Sequence, residues 1–557
     1  MKILFLTHSF NSLTQRLYME LTGRGHEVSV EFDINDDVTR EAVDLFKPDL
    51  IIAPFLKRAV PEDIWKNHVC LIVHPGPKGD RGPSSLDWAI QDGVEEWGVT
   101  VLQAAEEMDA GDIWATHNFQ VRDGSKGSHY RNEVTQAAVK GVLEAVENFG
   151  NKNFKPTPLT DLSGWRDLLK QDQRSIDWAS DDTATVLRKI RAADGFPGVR
   201  DTVLGVDCFL FDAHEDDGLK GTPGEVIAQR HGAICRATID GAVWITHLKE
   251  KIEGERTFKL PAATVLKDRL KDVPELSAPA DGLTWRDIWY EREGEIGYLY
   301  FPFYNGAMST EQCQRLAEAV RETRQDDAQI LVLMGGHDFW SNGIHLNTIE
   351  AAESPANESW DNINAMDDLC REILTLDDKF TIAAMHGNAG AGGVFLALCA
   401  DLVLARQGII MNPHYKNMGN LFGSEYWTYV LPRRGGNDAA SVMTNRLPVG
   451  TDEAMALGLV DTMLPGLPEE FSQGVRQYAR SMAEASTVKD EITAKKQRRM
   501  ADEAEKPLDD YRAEELERMK LNFFGFDPSY HVARYNFVFR VPHSRTPLHL
   551  AKHRRLL

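Results

Sequence analysis

Residues 71–90 read LIVHPGPKGDRGPSSLDWAI and combine a short apolar strand, a loop rich in proline and glycine, and the start of a helix. His74 ends the strand, and a proline and a glycine follow it at once. Ser84 or Ser85 can cap the helix. Open α/β sheets bind their ligands at the carboxyl ends of the strands, so His74 stands where a catalytic side chain is expected. A lone histidine at such a place can also serve only to hydrogen-bond the turn.

The chain before this stretch follows a β-α-β pattern. Residues 2–7 form an apolar strand, and residues 26–32 alternate as a second one. Between them Leu13, Leu17 and Leu21 recur at helical spacing, which predicts an inward helix face. This order of elements predicts an open, mostly parallel sheet. The first turn contains no G-x-G-x-x-G motif, so the pattern does not favour a dinucleotide.

The start of the first helix is rich in side chains that can receive a phosphate, because amides at a helix N-terminus favour anions. A glutamine follows in the first helical turn, and a later helix adds an arginine. Both of these longer side chains can equally be solvated surface groups. The predicted cofactor-binding residues of this region are Ser9, Asn11, Ser12, Gln15 and Arg131.

Residues 98–112, GVTVLQAAEEMDAGD, place a strand before an acidic turn. Together with the stretch around His74, this segment resembles the formyltransferases that use N10-formyltetrahydrofolate. The resemblance implies that His74 and Asp109, the first aspartate of a D-x-G-D turn, carry the chemistry. The family usually has an asparagine two residues before the histidine, and Ile72 stands there in this chain. The usual amide is therefore not present to hold the tetrahedral oxyanion.

The resemblance extends to about residue 260. Residues 176–199, IDWASDDTATVLRKIRAADGFPGV, match an I-D-W segment and a helix that ends in a proline-glycine turn in the same family. Residues 221–250 then alternate as short strands with glycine turns. We interpret these strands as the small β-barrel that follows the catalytic domain in that family.

The second half of the chain carries two glycine loops in strand context. Residues 338–345 read DFWSNGIH, and residues 386–393 read HGNAGAGG. In this order the loops resemble those of the crotonase, or enoyl-CoA hydratase, superfamily. The resemblance implies that the backbone amides of Ile344 and Gly392 hold a thioester oxygen. Glycine lets the chain approach such an oxygen closely.

The acid–base residues of this half depart from the hydratases. The first hydratase glutamate falls at Phe395, which cannot titrate, and the second falls near His414, where no glutamate stands. Hydration is therefore not expected. Tyr415 and Glu425 lie close by in the sequence and are the candidates for proton transfer. Tyr415 can alternatively be a core aromatic, and Glu425 a carboxylate at a helix start.

The composition limits the partners. A formal charge of −23 disfavours broad nucleic-acid binding. No apolar run reaches the roughly eighteen residues of a membrane span, and the start MKILFLTHSF has no signal-peptide cleavage site. The six cysteines are scattered and form no C-x-x-C motif, which suits a reducing cytoplasm and predicts no metal site. We therefore expect a cytoplasmic protein with small-molecule substrates, without nucleic-acid or membrane partners.

The last segment contrasts with the acidic whole. Residues 529–557 contain no aspartate or glutamate but six lysines and arginines, with aromatic side chains between them. Such a segment can bind a phosphate partner, either CoA or something larger, or it can pack on the acidic surface of its own chain.

The whole chain, including FNSLTQR near its start and GSEYWTY in the second half, resembles the HypX/HoxX-type [NiFe]-hydrogenase maturation factors. The resemblance implies a formyltransferase coupled to a lyase that releases carbon monoxide for the hydrogenase iron site. The formyl group would pass from N10-formyltetrahydrofolate to coenzyme A, with Asn305 lining the passage of the cofactor. Other hydrogenase maturation proteins are then expected as partners.

The expected fold class is multidomain α/β. It comprises an open, mostly parallel formyltransferase sheet over residues 1–160 and a small β-barrel over residues 161–270. A crotonase-like β/α domain with a helical C-terminal part follows over residues 280–557. Two other functions remain open from the residues alone: formyl transfer to a tRNA or sugar nucleotide beside a non-catalytic crotonase-like domain, and a scaffold that binds CoA or folate.

Overall fold

The computed structural model describes residues 1–279, 281–485 and 487–556 and divides the chain into two compact units. Residues 1–285 and 543–557 form the first unit, and residues 286–542 form the second. From the sequence, the C-terminal residues were expected to belong to the crotonase-like domain. This assignment is wrong from His543 onward, because these residues pack into the first unit.

The first unit begins with a six-stranded sheet in the order β2-β1-β3-β4-β5-β6. The first four strands of this order are parallel, and β5 and β6 run antiparallel to their neighbours. The mostly parallel sheet that the sequence predicts is therefore present. Its strands are β1 (Lys2–Thr7), β2 (Glu27–Phe32), β3 (Leu50–Phe55), β4 (Cys70–His74), β5 (Glu96–Gln103) and β6 (Ile113–Gln120).

The helices of this sheet follow the predicted amphipathic pattern. Leu13, Leu17 and Leu21 are all buried, as their spacing predicts. The Asn11 side chain caps the first helix by accepting from the Thr14 amide at 3.0 Å. The helices are α1 (Ser12–Gly23), α2 (Asp36–Phe46), α3 (Glu62–Trp65), α4 (Ser85–Asp92), α5 (Lys126–His129) and α6 (Thr135–Gly150), with a π-helical turn at Tyr130–Val134 between the last two.

A second, antiparallel sheet follows in the order β7-β8-β11-β10-β9, with β12 paired to β11. Within the described residues β7 and β9 do not pair with each other, so the predicted barrel is open. Helix α8 packs on this sheet and shares its apolar core. The elements are α7 (Gln171–Arg174), α8 (Thr183–Ala193), β7 (Val199–Val203), β8 (Val206–Asp216), β9 (Val226–Arg230), β10 (Ala233–Ala237), β11 (Ala242–Glu250), β12 (Leu260–Pro261) and α9 (Ala262–Leu266).

The second unit contains two sheets that share a large apolar core. The six-stranded sheet has the order β13-β14-β15-β17-β19-β22 and is parallel from β14 onward, and the smaller one has the order β16-β18-β20-β21. The strands are β13 (Trp289–Glu293), β14 (Ile296–Tyr300), β15 (Ile330–Gly335), β16 (Phe339–Ser341), β17 (Phe380–Met385), β18 (Asn388–Gly390), β19 (Leu402–Arg406), β20 (Ile410–Asn412), β21 (Val449–Gly450) and β22 (Thr462–Leu464).

Helices cover both sheets, and four of them form the helical C-terminal part that the sequence predicts. No helix in the described parts of the chain has the length and apolar character that a membrane span requires. The helices are α10 (Thr310–Glu322), α11 (Leu346–Ala351), α12 (Pro355–Leu374), α13 (Gly392–Leu398), α14 (Trp427–Gly435), α15 (Ala439–Thr444), α16 (Thr451–Ala456), α17 (Pro468–Glu484), α18 (Val488–Glu505), α19 (Leu508–Phe524) and α20 (Ser529–Val538).

The C-terminal segment, residues 543–556, packs against strand β2. The Val30 amide donates to the Leu550 carbonyl at 3.1 Å, so the segment covers an edge of the first sheet. His553 is fully buried there, with Nε2 2.8 Å from Glu31 Oε2 and Nδ1 2.8 Å from Ser29 Oγ. Arg545 forms an ion pair with Glu41. Of the two interpretations of this basic segment, packing on the chain's own acidic groups is the one present.

Candidate active site

His74 lies at the end of β4 between two carboxylates. Its Nδ1 atom is 3.5 Å from Asp109 Oδ2, so the two residues predicted to act together are neighbours. A closer partner was not predicted: Nε2 lies 2.9 Å from Asp80 Oδ2. Burial raises the pKa of Asp80, but hydrogen bonds from His74 and Ser85 outweigh it and hold this pKa below its usual value. A carboxylate oxygen therefore lies beside each of the two ring nitrogens of His74.

The loop around His74 leaves no room for another side chain. A Cβ atom on Gly76 would lie 2.5 Å from His74 Nε2 and 2.2 Å from Asp80 Oδ2. The Gly76 carbonyl accepts the Thr100 hydroxyl at 2.9 Å, which ties the loop to β5. The glycine therefore permits the close contact between the histidine and its nearer carboxylate.

The Asp109 turn is held from two sides. Asp109 has a left-handed backbone, with φ of 54°, and its Oδ2 atom accepts the Gly82 amide at 3.1 Å. The buried Arg81 side chain donates to the Met108 carbonyl at 2.8 Å. Ile72 remains a residue of β4, and its aliphatic side chain supplies no hydrogen-bond donor.

The predicted phosphate-binding residues gather near the start of α1, but part of their polar capacity is used locally. The Asn11 side-chain oxygen caps the helix, and the Gln15 amide nitrogen donates to the Phe10 carbonyl at 2.8 Å. Ser9 lies in the loop between β1 and α1, and Ser12 is the first residue of α1. The carbonyl of Ser9 accepts the hydroxyl of Thr7 at 2.9 Å.

Arg131 lies in the π-helical turn that precedes α6. A Cβ atom on Gly127 would lie 3.1 Å from Arg131 Nη1 and 3.6 Å from Asp194 Oδ2, which places this guanidinium close to a carboxylate. Asn305 belongs to the second unit. It has a left-handed backbone with φ of 58°, and its carbonyl accepts the side-chain amide of Asn342 at 2.8 Å.

The two glycine loops of the second unit meet at their tips. A Cβ atom on Gly343 would lie 3.5 Å from the Gly392 nitrogen. Gly392 is the first residue of α13, so its amide has no acceptor within the helix. Ile344 follows Gly343 directly and bridges to Met308. The amides of Ile344 and Gly392 thus lie at adjoining loops, as the crotonase resemblance implies, and we call this pair of loops the cradle.

Glu425 reaches the cradle. A Cβ atom on Gly392 would lie only 2.0 Å from Glu425 Oε1, so the carboxylate touches the glycine directly. The Tyr415 hydroxyl donates to Glu425 Oε2 at 2.5 Å. Phe395, which stands where hydratases have a glutamate, stacks on the Tyr415 ring with centroids 5.6 Å apart. Tyr415 and Glu425 therefore adjoin the predicted oxyanion site as one buried pair.

The acidity of this pair follows from burial. Burial and the neighbouring Asp367 raise the pKa of Glu425 to about 8, although the hydrogen bond from Tyr415 opposes the change. Burial and the charge of Glu425 raise the pKa of Tyr415 well above its usual value. A glutamate with such a pKa can both take up and return a proton near neutral pH.

Two further buried carboxylates lie beside this pair and were not predicted from the sequence. Asp367 lies on α12 and Glu515 on α19, and both approach the Glu425 turn. Each stands within an apolar helix stripe: Glu515 lies four residues before the buried Met519. An acidic residue on an apolar stripe is the signal that could have revealed them.

Three family models match successive parts of the chain. The formyl transferase model matches residues 29–146, and the model of the formyl transferase C-terminal domain matches residues 168–260. The enoyl-CoA hydratase/isomerase model matches residues 299–523. The two resemblances drawn from the motifs are therefore confirmed.

The hydrogenase maturation factor HoxX of Bradyrhizobium diazoefficiens is 54% identical over 558 residues, which cover 100% of this chain and 97% of the relative. The chain belongs to the HoxX/HypX family of hydrogenase maturation factors. A crystal structure of HypX from Aquifex aeolicus in complex with tetrahydrofolic acid is 53% identical, with a TM-score of 0.97 over 99% of this chain and 98% of that one.

More distant relatives cover one half only. The methionyl-tRNA formyltransferase of Neisseria meningitidis serogroup C is 27% identical over 219 residues, which cover 38% of this chain and 70% of the relative. In the HoxX/HypX family a formyl transferase half is thus joined to a crotonase-like half. The match with the HypX structure and the enoyl-CoA hydratase/isomerase model confirm the predicted multidomain α/β fold class.

Proposed function

We propose that the chain transfers a formyl group from N10-formyltetrahydrofolate to coenzyme A and then releases carbon monoxide from formyl-CoA. The formyl transferase match and the tetrahydrofolic acid in the related HypX structure support the folate substrate. The enoyl-CoA hydratase/isomerase match supports a CoA thioester in the second unit. The contact of Glu425 with the cradle carries the proposal, because it sets a proton acceptor beside the amides that would hold a thioester oxygen.

In the first step the CoA thiol attacks the formyl carbon. His74 takes the thiol proton, and the bond from the formyl carbon to N10 breaks when that nitrogen receives a proton. Asp109 and Asp80 stabilise the protonated ring from its two nitrogens. The products are formyl-CoA and tetrahydrofolate, so atoms and protons balance.

In the second step the formyl carbon of formyl-CoA loses its hydrogen, and its bond to the CoA sulfur breaks. Formyl-CoA has no α-carbon, so proton chemistry of the crotonase type cannot take place beside the carbonyl. Ionised Glu425 takes the formyl hydrogen as a proton while the carbon–sulfur bond breaks and carbon monoxide leaves. Tyr415 donates its proton to sulfur and recovers one from Glu425 through their 2.5 Å hydrogen bond. The proton cycle closes with free CoA as the second product.

The role of Glu425 in carbon monoxide release is tested by a substitution that keeps the shape of its side chain. Glu425→Gln should lower carbon monoxide release, trapped as the deoxyhaemoglobin adduct, by on the order of a hundredfold or more, the scale of a general base. Formyl-CoA should still form, because His74 and its partners are untouched, and it should accumulate together with formate from its hydrolysis. Carbon monoxide release at the normal rate would remove Glu425 from the mechanism.

Tyr415→Phe separates the sulfur donor from the base. It should slow carbon monoxide release by less than Glu425→Gln does, because water can replace the phenol at sulfur. Formyl-CoA should accumulate here as well, measured by chromatography of the quenched reaction. A variant with the normal rate would show that the tyrosine only packs against Phe395.

The proposed binding residues are Ser9, Asn11, Ser12, Gln15 and Arg131 for the CoA phosphates and Asn305 for the passage of its pantetheine arm. Arg131 contributes the positive charge of this group. Arg131→Ala should therefore weaken CoA binding in calorimetry and leave folate binding unchanged. Arg188→Ala, which removes an exposed cation from the same unit, is the matched control. An unchanged CoA affinity in Arg131→Ala would refute this placement.

A further inference from the structure

The turn that carries Glu425 has an unusual backbone. Glu425 and Tyr426 follow each other, and both have positive φ angles, 62° and 56°. Residues with a Cβ atom rarely adopt this left-handed region, because Cβ crowds the following carbonyl. Such a conformation persists only where the surroundings hold it.

Asp367 holds the first part of the turn. Its Oδ1 atom accepts the Glu425 amide at 2.8 Å, and its Oδ2 atom accepts the Ser424 hydroxyl at 2.8 Å. The side chain is fully buried on α12. Both carboxylate oxygens are therefore used on the residue that reaches the cradle and on the one before it.

Glu515 holds the second part from α19. Its Oε2 atom accepts the Tyr426 amide at 3.0 Å, and its Oε1 atom accepts the Thr428 amide at 2.8 Å and the Thr428 hydroxyl at 2.5 Å. These amides belong to the N-terminus of α14, where a negative charge is favourable. Glu515 thus fixes the direction in which the helix leaves the turn.

This arrangement is costly for stability alone. Three buried carboxylates gather at one place, and the nearest guanidinium, Arg512, has Nε 3.8 Å from Asp367 Oδ2. Buried charges without close partners destabilise a fold, and such clusters occur at functional sites. Asp367 and Glu515 accept these hydrogen bonds from residues 424–428, which form the turn of Glu425.

We propose that Asp367 and Glu515 are positioning residues, which clamp the turn of residues 424–428 and hold Glu425 against the cradle. The inference rests on the proposed function, in which Glu425 is the base. The negative charge of Asp367 also opposes the ionisation of Glu425. The titratable groups that face Glu425 are Asp367 and Cys370 on α12, Glu515 on α19, Cys313 on α10, and Tyr415 after β20, and Arg512 on α19 faces Asp367.

The first test measures the ionisation of Glu425 directly. The difference infrared spectrum between the wild type and Glu425→Gln isolates the carbonyl stretch of protonated Glu425, which is followed against pH. Asp367→Asn keeps an acceptor for the Glu425 amide but removes the charge, so the midpoint should move to lower pH. Asp361→Asn removes an exposed carboxylate elsewhere on α12 and should leave the midpoint unchanged. An unmoved midpoint in Asp367→Asn overturns the role of its charge.

The second test measures carbon monoxide release. Asp367→Ala and Glu515→Ala remove the acceptors, and a displaced base should cost on the order of a hundredfold. Asp367→Asn should keep most of the maximal rate, and its pH profile should move to lower pH, as the infrared midpoint does. If the alanine variants do not fold, this variant alone tests the proposal. Normal rates in both alanine variants overturn the clamp. Normal release by Glu425→Gln would instead refute the proposed function, while the infrared midpoint still tests the influence of Asp367.

Discussion

At the scale of single residues, His74 is the group on which the first step depends. His74→Ala should abolish formyl transfer, because a general base contributes about 10²- to 10⁴-fold, without unfolding the protein. Consumption of formyltetrahydrofolate in the presence of CoA measures this, and circular dichroism checks the fold. Activity within a few-fold of the wild type would exclude the role.

Gly76 provides a second test at this scale. A methyl group there would collide with both His74 and Asp80, so Gly76→Ala should separate the pair and lower formyl transfer by on the order of a hundredfold. Gly23→Ala is the control, because no atom lies within 4 Å of a Cβ at that position. Equal activity of the two variants would mean that the close pairing of His74 and Asp80 is not needed.

The sequence indicated some residues of the sites and not others, for physical reasons. His74 and Asp109 stand at a strand end and in a D-x-G-D turn, where local pattern and position coincide. Asp80 stands in a loop whose path depends on tertiary contacts, so nothing local distinguishes it from a solvated aspartate. Glu425 was recognisable only as a departure from the hydratase pattern, and its contact with Gly392 depends on the fold.

At the scale of elements, the carboxylates shared by α12, α19 and the turn before α14 make stability depend on pH. Burial raises the pKa of Asp367 to about 6 and those of Glu425 and Glu515 to about 8. The folded protein thus keeps protons that the unfolded chain has lost. Stability should therefore be highest below the unfolded pKa values and fall as the pH rises toward about 8.

Each such group contributes a slope of about 1.4 kcal/mol per pH unit while it remains protonated only in the folded state. Glu515→Gln removes one of the groups, so the fall in stability between about pH 5 and about pH 8 should become shallower. Calorimetric unfolding at a series of pH values measures the slope, with Asp361→Asn as the exposed control. Identical slopes in the wild type and Glu515→Gln would contradict the expectation.

The regular elements themselves were predictable where periodicity is strong. The leucine spacing of α1 and the parallel order of the first sheet follow from local pattern. The second sheet was expected to close into a barrel, but closure depends on whether the edge strands β7 and β9 meet. Whether these two strands meet depends on segments that are distant in the sequence, so no local pattern predicts it.

At the scale of the whole molecule, the C-terminal segment stabilises the first unit through a buried hydrogen bond between His553 and Glu31. His553→Ala would leave Glu31 Oε2 buried without its histidine partner, although Thr546 still donates to Oε1, and such a loss costs about 1–3 kcal/mol. The midpoint temperature at which the first unit unfolds should therefore be lower in this variant than in the wild type. Arg555→Ala, which removes an exposed side chain of the same segment, should change stability by less than about 0.5 kcal/mol.

The partners of this pair are separated by 522 residues in the chain. After Glu31 has been synthesised, the ribosome must still make the whole second unit before it adds His553. Domains generally fold in the order of their synthesis, so the first sheet forms early but with one edge uncovered and Glu31 without its histidine partner. A chain truncated by a premature stop codon would keep that defect permanently. A first unit without this segment would be less stable, and proteases that remove unstable products would act on it.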